Sequence, residues 1–513
     1  MGKGQRVRAN RVAEKESKKE IIVKSTKKQR RNKVFGSIVA GIVCLCLLGG
    51  ILYHTVYTSA YNRGVIQRKT TVLQTENYTV DAAMMSYFFY LQYNNFANTY
   101  SSNLANFGLN TSVSLRQQDS IFESGSTWFE YFCDQASTQV KDMLYLAEMA
   151  VSEGMALDET DQKKITTAID NYKDVAEEAG YDAKTFFSLV FGNGVNENDI
   201  RKCMEISALA EKYQENYMDT LVYTDAEIDQ YYADNVNSHR YVNYLSYAVE
   251  AEDIDDSTTY AAAKEKAEAL AAVKNKEAYA AWVEKDVRST RTVSEDYSAE
   301  DLEADVEEIV TNLEVKKAKY SKDSDLSKWL FEEAKVGDAR IEDDEAGTYT
   351  VYYLTATPYR NEAATKNIRQ LIFLTESYDD EAAAKTEAET VFQTLKDEGL
   401  TEDAFTTYAA QYSADDATAG IGGLCENYEK DSFDAAVAEW AFNDARNAGD
   451  LELVTMTDGY AICYYIGEGK VAWKAECISA KQNEDYTAAY EEWTEKITLT
   501  ENESGYNVIP DNV

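Results

Sequence analysis

The sequence predicts an α+β protein that is anchored in a membrane, and three observations lead to this prediction. An uncharged apolar run separates a basic tail from an acidic remainder. From about Glu76 to Asn235, apolar residues recur at three- and four-residue steps, which is typical of amphipathic helices. After residue 238, two copies of a strand-helix-helix-strand pattern follow, and their alternating β-branched and aromatic residues indicate sheet.

The apolar run, Val34 to Tyr53, contains no charged residue and is long enough to cross a bilayer core of about 30 Å as a helix. Residues 1–33 carry 13 Lys or Arg and 3 Asp or Glu, whereas the rest of the chain carries 38 and 87. No small-residue cleavage site follows the run, so we interpret it as an uncleaved signal anchor. The positive-inside rule then predicts a single-pass protein of the cell membrane, with a cytoplasmic N-terminus and the chain after about Tyr57 outside.

Charge and composition exclude several classes of function. The formal net charge of −39 argues against nucleic acid as a partner, because phosphate binding depends mainly on Lys and Arg. Only two histidines are present, and the GxSxG and HExxH patterns are absent, so a hydrolase is disfavoured and we predict no metal and no cofactor. Five cysteines lie beyond the anchor, an odd number without CxxC, which favours buried single thiols over a disulfide framework. They are Cys133, Cys203, Cys425, Cys463 and Cys477.

The first part of the outer chain predicts helices with recognisable ends. Thr79–Tyr100 opens with polar residues and continues as a long apolar and aromatic helix. Gly154 and Gly180 follow two further periodic stretches and are expected to stop their helices. Thr224, with Glu227 three residues later, predicts a capping box at the start of another helix.

The repeat after residue 238 keeps the same order of features in both copies. Each copy ends in a tyrosine-rich strand, and the joint between the copies contains Pro358. The tryptophans of the two copies are 111 residues apart, and the helices 121, so the copies differ by insertions. The paired features are the first strands HRYVNYLSYAVEAED and KNIRQLIFLTESYDD, helices from Ala261 and Ala382, Trp329 and Trp440, and closing strands from Tyr349 and Tyr460.

The second copy resembles the parvulin-type peptidyl-prolyl isomerases. Phe405–Tyr428, FTTYAAQYSADDATAGIGGLCENY, is similar to that family's pattern of a Phe, an Ala-rich helix turn, Tyr-Ser, an acidic residue, Gly-Gly and an aromatic. Tyr428, Phe433, Val437 and Phe442 keep the family's spacing of an aromatic, a Met and two Phe. The segments GDLELV and GYAICYYI resemble the end of the family's domain.

The arrangement of most of residues 70–500 resembles the SurA- and PrsA-type extracytoplasmic foldases, most strongly in the second module. That resemblance implies an all-α chaperone-like domain, two tandem parvulin-like α+β modules, and a C-terminal helix over Asp485–Ile497. The anchor and this domain order suggest a Gram-positive bacterium. The predicted boundaries are 1–33 for the cytoplasmic tail, 34–56 for the transmembrane helix, 57–237 for the helical domain, 238–361 and 362–475 for the two modules, and 476–513 for the C-terminal helix and tail.

The resemblance also implies a site. Prolyl isomerisation must overcome a barrier of about 18–20 kcal/mol from amide resonance, and it needs no covalent step. In parvulins an apolar slot holds the proline ring, and two histidines lie beneath it beside a Cys or Asp. The matching positions here are Gln370 and Ala461 for the histidines, Asp415 for the Cys or Asp, and Phe433, Val437 and Phe442 for the slot. Both imidazoles are therefore replaced.

The first copy departs further from the family pattern. Its histidine position falls near Tyr244, and it has no YS…GG loop. Residues 283–325 replace that loop with a charged, helix-prone run. His239 lies just before the first strand and does not match a catalytic position. We therefore expect the first module to be a non-catalytic scaffold.

These inferences predict a folding factor of the peptidyl-prolyl isomerase family that binds unfolded or partly folded exported polypeptides. Within this prediction two versions stay open, an active isomerase and an isomerase-derived chaperone. The alternative is a non-enzymatic envelope scaffold that uses the modules as interaction platforms. A chaperone acts on many unrelated unfolded chains, whereas a scaffold binds one folded partner.

Overall fold

The computed structural model describes residues 57–122, 124–294, 297–397 and 401–511, which form two compact units. The first unit contains the described residues up to Leu221 together with those from Tyr486 onward, and the second is Val222–Asp485. The predicted cytoplasmic tail and transmembrane helix lie outside the described residues. Within the described ranges, no helix is long and apolar enough to cross a membrane.

The first unit consists of helices and one small antiparallel sheet. The helices and strands of the first unit are β1 (Thr71–Gln74), β2 (Thr79–Asp81), α1 (Ala82–Thr99), α2 (Trp128–Ser152), α3 (Glu159–Glu178), α4 (Ala183–Phe191), α5 (Glu197–Thr220) and β11 (Thr500–Glu501). The sheet has the strand order β11-β1-β2. Its core is rich in aromatic side chains, and Phe89 of α1 packs there against Phe129 and Phe132 of α2.

The prediction of an all-α first domain is wrong, because residues assigned to the first helix form a strand. Thr79, Val80 and Asp81 pair with β1, and the helix begins only at Ala82. Asp81 is the N-cap, since its carboxylate accepts hydrogen bonds from the N–H groups of Ala83 and, at 3.0 Å, the following residue. An N-cap has extended backbone angles, which is compatible with ending a strand there.

Other helix signals are confirmed. Gly154 and Gly180 adopt left-handed backbone angles just after α2 and α3 end. Thr224 and Glu227 form the predicted capping box at the start of α6 (Asp225–Asp234). The N–H of Glu227 donates to Thr224 Oγ1 at 3.3 Å, and the N–H of Thr224 donates to Glu227 Oε2 at 2.8 Å.

The second unit contains two four-stranded antiparallel sheets with the same topology, β4-β3-β6-β5 and β8-β7-β10-β9. The first copy comprises β3 (Tyr241–Glu250), α7 (Tyr260–Ala271), α8 (Lys276–Thr290), α9 (Ala299–Thr311), β4 (Glu314–Lys319), α10 (Asp325–Lys328), β5 (Ala339–Asp343) and β6 (Thr348–Leu354). The second comprises β7 (Thr365–Leu374), α11 (Glu381–Asp397), α12 (Glu402–Tyr412), β8 (Leu424–Glu429), α13 (Ala435–Ala441), β9 (Leu451–Thr455) and β10 (Gly459–Glu468). Helix α14 (Ala472–Lys496) follows.

The two sheets share an irregularity as well as a strand order. In each copy the pairing of the first strand with the second shifts register at an asparagine, Asn243 or Asn367. Asn243 Oδ1 accepts a hydrogen bond from the N–H of Lys317 at 3.0 Å, and Asn367 Oδ1 accepts one from the N–H of Asn427 at 2.7 Å. Lys317 and Asn427 both have left-handed backbone angles, with φ of 51° and 54°.

The shared register corrects one prediction for the first copy. The N–H of Gln370 donates to the carbonyl of Gly423 at 2.8 Å, and the N–H of Ser246 donates to the carbonyl of Leu313 at 3.0 Å. Ser246 is therefore the counterpart of Gln370, two residues beyond the predicted position near Tyr244. Residues two apart in a strand share a face, so only the pairing with the neighbouring strands fixes the register.

Candidate functional site

The second copy buries its sheet on both faces, and the alternation of side chains along β7 decides which residues meet on each face. Leu371 and Phe373 point toward α11 and α12 and belong to one apolar cluster. Ile368 and Ile372 point the other way, into a second cluster that includes residues of α13. Gln370 shares this second face, which is also the face of Ala461.

Two of the predicted site residues are joined by a hydrogen bond. Gln370 Nε2 donates to Asp415 Oδ2 at 2.9 Å, although the residues are 45 positions apart. Asp415 also accepts hydrogen bonds from Thr418 Oγ1 at 2.5 Å and from the N–H of Ala417 at 3.3 Å. Gln370 is 8% exposed and Thr418 is 2% exposed. The carboxylate is thus held by donors from a strand and from the loop that follows α12.

The second predicted histidine position has no polar group. Ala461 is fully buried in β10. It lies opposite Ile372 on one side and opposite Val454 on the other. Its methyl group packs in the same cluster as Val437, so a larger side chain at this position would have to displace apolar neighbours.

The three predicted slot residues lie in one apolar cluster beside the polar pair. The ring centroids of Phe433 and Phe442 are 6.5 Å apart, and Phe433 lies 5.4 Å from the ring of Tyr428. Both phenylalanines are half-buried and so keep accessible surface. Val437 is 1% exposed and belongs to the buried part of the same cluster.

A buried lysine completes this cluster, and sequence reasoning missed it. Lys366 is 6% exposed, and its Nζ lies 5.4 Å from the ring centroid of Phe442. Nζ donates to the hydroxyl of Tyr465 at 3.4 Å and to the carboxylate of Glu468. Burial alone would lower the pKa of Lys366, but these hydrogen bonds outweigh it and the pKa is raised. The available signal was its position in the alternating strand KNIRQLIFL.

A cysteine and a tyrosine beside the site are both neutral at physiological pH. Burial raises the pKa of Cys425 to about 12, and the charge of Asp415 adds to the effect. The Cys425 thiol donates to the carbonyl of Gly423 at 3.8 Å. Burial also raises the pKa of Tyr428. A thiol in this state is not a nucleophile, so the site offers no covalent chemistry through sulfur.

The predicted Gly-Gly turn brings the second strand against β7. Gly422 and Gly423 both have left-handed angles, with φ of 70° and 68°. A Cβ on Gly423 would lie 2.2 Å from the carbonyl oxygen of Gln370. Only glycine allows this approach, which places the loop bearing Asp415 over the strand bearing Gln370.

The antiparallel sheet, the glycine turn and the apolar cluster beside the polar pair all belong to the second copy. Residues 370–467 match the family model described as "Rotamase: PPIC-type PPIASE domain". The parvulin-type identification is therefore confirmed for this segment, and the chain contains a PPIC-type peptidyl-prolyl isomerase domain. Within the described ranges, no three His, Cys, Asp or Glu side chains are arranged to hold a metal ion.

Among solved structures, a PpiC-type peptidyl-prolyl cis-trans isomerase domain is 22% identical, covers 21% of this chain and 95% of its own, and has a TM-score of 0.19. The foldase PrsA from Streptococcus pneumoniae is 12% identical, with coverage of 69% and 98% and a TM-score of 0.18. A SurA-like chaperone from Campylobacter jejuni is 12% identical, with coverage of 67% and 93% and a TM-score of 0.17. Among curated proteins, none matches the chain significantly.

Proposed function

We propose that this chain is a folding factor whose PPIC-type domain binds proline-containing segments of unfolded exported polypeptides but has lost their catalysed isomerisation. The observation that carries the proposal is that the site keeps its apolar residues but not its histidines. The half-buried rings of Phe433 and Phe442 keep an apolar surface for a proline ring. The positions that would act on the amide carry Gln370 and Ala461 instead of histidine.

The loss of catalysis follows from where the hydrogen bonds go. An isomerase lowers the barrier by directing donors at the twisted amide in a dry site. One N–H of Gln370 Nε2 donates to Asp415, which fixes the direction of the amide, and Ala461 has no donor. The Cys425 thiol donates to a backbone carbonyl. Apolar burial, by contrast, needs none of these groups and still favours binding.

We further propose that residues 34–56 anchor the protein in the cell membrane, with residues 1–33 in the cytoplasm and the rest outside. The support is the charge asymmetry around an uncharged apolar run. Exported polypeptides are the partners available on that side. Protease added to intact cells should therefore digest epitopes after residue 57 and spare one placed in residues 1–33. Protection of both epitopes would contradict this topology.

The binding proposal is tested with the full-length chain and a neutral peptide containing Phe-Pro. Peptide resonances should shift on titration, and Phe433→Ala should weaken the affinity by about tenfold, the effect expected for a buried aromatic contact. Phe392→Ala is the matched control, because Phe392 is also half-buried but packs on the opposite, helix-covered face. Equal loss in both variants, or no binding by the wild type, would contradict the proposal.

Chaperone action is tested separately from peptide binding. The full-length chain should suppress aggregation of several unrelated unfolded proteins, and Phe433→Ala should do so less well. If the chain bound one folded partner and did not suppress aggregation of unfolded chains, the envelope scaffold would be favoured instead.

A further inference from the structure

The first copy of the repeat contacts the segment of the second copy that carries the predicted peptide-binding ring. Lys317, in β4, places its Nζ 2.7 Å from Glu429 Oε2 and 2.9 Å from Asp431 Oδ2. Glu429 ends β8, and Asp431 lies in the short turn that leads to α13. Phe433 follows Asp431 by two residues. One ammonium group therefore contacts both the end of β8 and the middle of the turn that precedes Phe433.

The backbone at Lys317 explains why its side chain reaches so far. Its φ of 51° is in the left-handed region, which is uncommon for lysine. The hydrogen bond from its N–H to Asn243 Oδ1 holds this conformation at the bulge. A bulge turns a side chain away from the regular direction of the strand.

The second copy uses the same bulge in a different way. Asn427 has nearly the same φ as Lys317, and asparagine tolerates this region better than lysine. Asn427 Oδ1 accepts a hydrogen bond from the N–H of Lys470, so its side chain ties down a segment of its own copy. Lysine at the equivalent bulge is unfavourable for the backbone but supplies a long, charged side chain.

The charges are matched and partly shielded. The side chain of Glu429 is 22% exposed, and its Oε1 also accepts a hydrogen bond from Asn361 Nδ2 at 2.8 Å. Asp431 is more exposed, at 68%, so its contact is more strongly screened. The hydrogen bond from Lys317 lowers the pKa of Asp431 below its usual value. The contact of Lys317 with Glu429 is therefore stronger than its contact with Asp431.

We propose that Lys317 is a positioning residue, through which the first module holds the Phe433 segment of the second module ready to bind peptide. This inference rests on the proposed peptide binding at Phe433. It assigns a role to the first module that does not require a site of its own.

The test compares Lys317→Asn with Lys319→Asn in the full-length chain, using the neutral Phe-Pro peptide. Asparagine fits the left-handed backbone, so Lys317→Asn should fold with unchanged or higher thermal stability. Its peptide affinity should fall by about fivefold, the upper end for a partly shielded ion pair. Lys319 lies on the same strand but pairs with Glu476, at 2.7 Å, so its replacement should leave the affinity unchanged.

Two further measurements separate positioning from a general structural effect. Raising the salt concentration should weaken peptide binding by the wild type but not by Lys317→Asn, because the variant lacks the screened ion pair. Combining Lys317→Glu with Glu429→Lys should recover part of the affinity that Lys317→Glu loses. Wild-type affinity in Lys317→Asn would overturn this inference alone. A wild type that binds no prolyl peptide would overturn the proposed function and this inference together.

Discussion

Gln370 donates a hydrogen bond to Asp415 at 2.9 Å, at the place where the parvulin-type resemblance puts a histidine next to an acid or thiol. An imidazole there would change its charge between about pH 5 and 8. A glutamine amide does not titrate in this range. The hydrogen bond therefore joins the loop to the strand, and its glutamine side carries no proton that titrates near neutral pH.

Removing the acceptor of this pair should destabilise the domain. Asp415→Ala leaves Gln370 Nε2 and the buried hydroxyl of Thr418 without their acceptor. Unsatisfied groups of this kind cost about 1–3 kcal/mol in the free energy of unfolding. Denaturant unfolding would measure the loss. Asp416→Ala is the control, because Asp416 is exposed and a surface change should stay within about 0.5 kcal/mol. Equal stability of the two variants would show that the pair contributes nothing.

A methyl group should be tolerated at Gly420, just before the Gly-Gly turn, but not at Gly423 within the turn. Gly423→Ala forces a Cβ against the Gln370 carbonyl in a left-handed conformation. The strained backbone alone costs about 1–3 kcal/mol. Gly420→Ala adds a methyl group in open space, so its unfolding midpoint should stay close to that of the wild type. Comparable midpoints for the two variants would contradict the close approach of the strands.

The two partners of the Lys366–Glu468 ion pair should differ in how much stability is lost when each is replaced. Glu468→Gln leaves the ammonium of Lys366 buried without its counter-charge, which should cost about 1–3 kcal/mol of stability. Lys366→Met leaves Glu468 largely in water and fills the space with an apolar side chain, so it should be nearly neutral or stabilising. The free energy of unfolding of the two variants decides this. A greater loss in Lys366→Met would contradict the prediction.

The same pair predicts a pH dependence. The hydrogen bond from Lys366 lowers the pKa of Glu468 in the folded state. A lowered folded-state pKa contributes stability above the unfolded value of about 4.3, and this contribution disappears as the pH falls through the folded value. The difference in stability between the wild type and Glu468→Gln should therefore be full at pH 7 and shrink below about pH 4. A difference that grows on acidification would have the wrong sign.

The five described cysteines should be protected from alkylation. All are free and buried, which confirms the prediction of single buried thiols. Burial raises the pKa of Cys477 to about 11 and that of Cys425 to about 12. Because the thiolate is the reactive form, iodoacetamide at pH 8 should leave them unmodified until denaturant is added. Mass spectrometry would reveal the modified positions. Fast labelling of Cys425 in the native protein would show that the site opens.

Elements with strong local patterns could be predicted from the sequence. The alternation in β3 and β7, the tyrosine-rich β6 and β10, and the helix stops at Gly154 and Gly180 all depend on residues near them in the chain. The edge strands were missed. Strand β4, EVKKAK, is rich in lysine and shows no apolar face, and it is a strand because β3 supplies its hydrogen bonds. Strand β2 has only three residues, which are too few to show an alternating pattern, so they were included in the predicted helix that follows.

The candidate site also has features that the sequence could predict and features that it could not. The positions of Gln370 and Asp415 came from the family pattern, and the structure joins them. The contact of Lys317 with Glu429 could not be predicted, because it spans 112 residues and depends on a bulge and on the packing of two modules. The buried state of Lys366 likewise depends on rings that arrive from distant segments. Long-range contacts of this kind leave no periodic signal in the sequence.

Exchange spectroscopy on the Phe-Pro peptide, in the presence of the full-length chain, tests the central claim most directly. It reads cis/trans interconversion and binding in the same sample. We expect peptide resonances to shift on binding while interconversion stays at the uncatalysed rate, and we expect Phe433→Ala to need about tenfold more protein for the same shifts. Interconversion accelerated by catalytic amounts of the wild type, and lost in Phe433→Ala, would contradict the claim and show that the site isomerises proline without imidazoles.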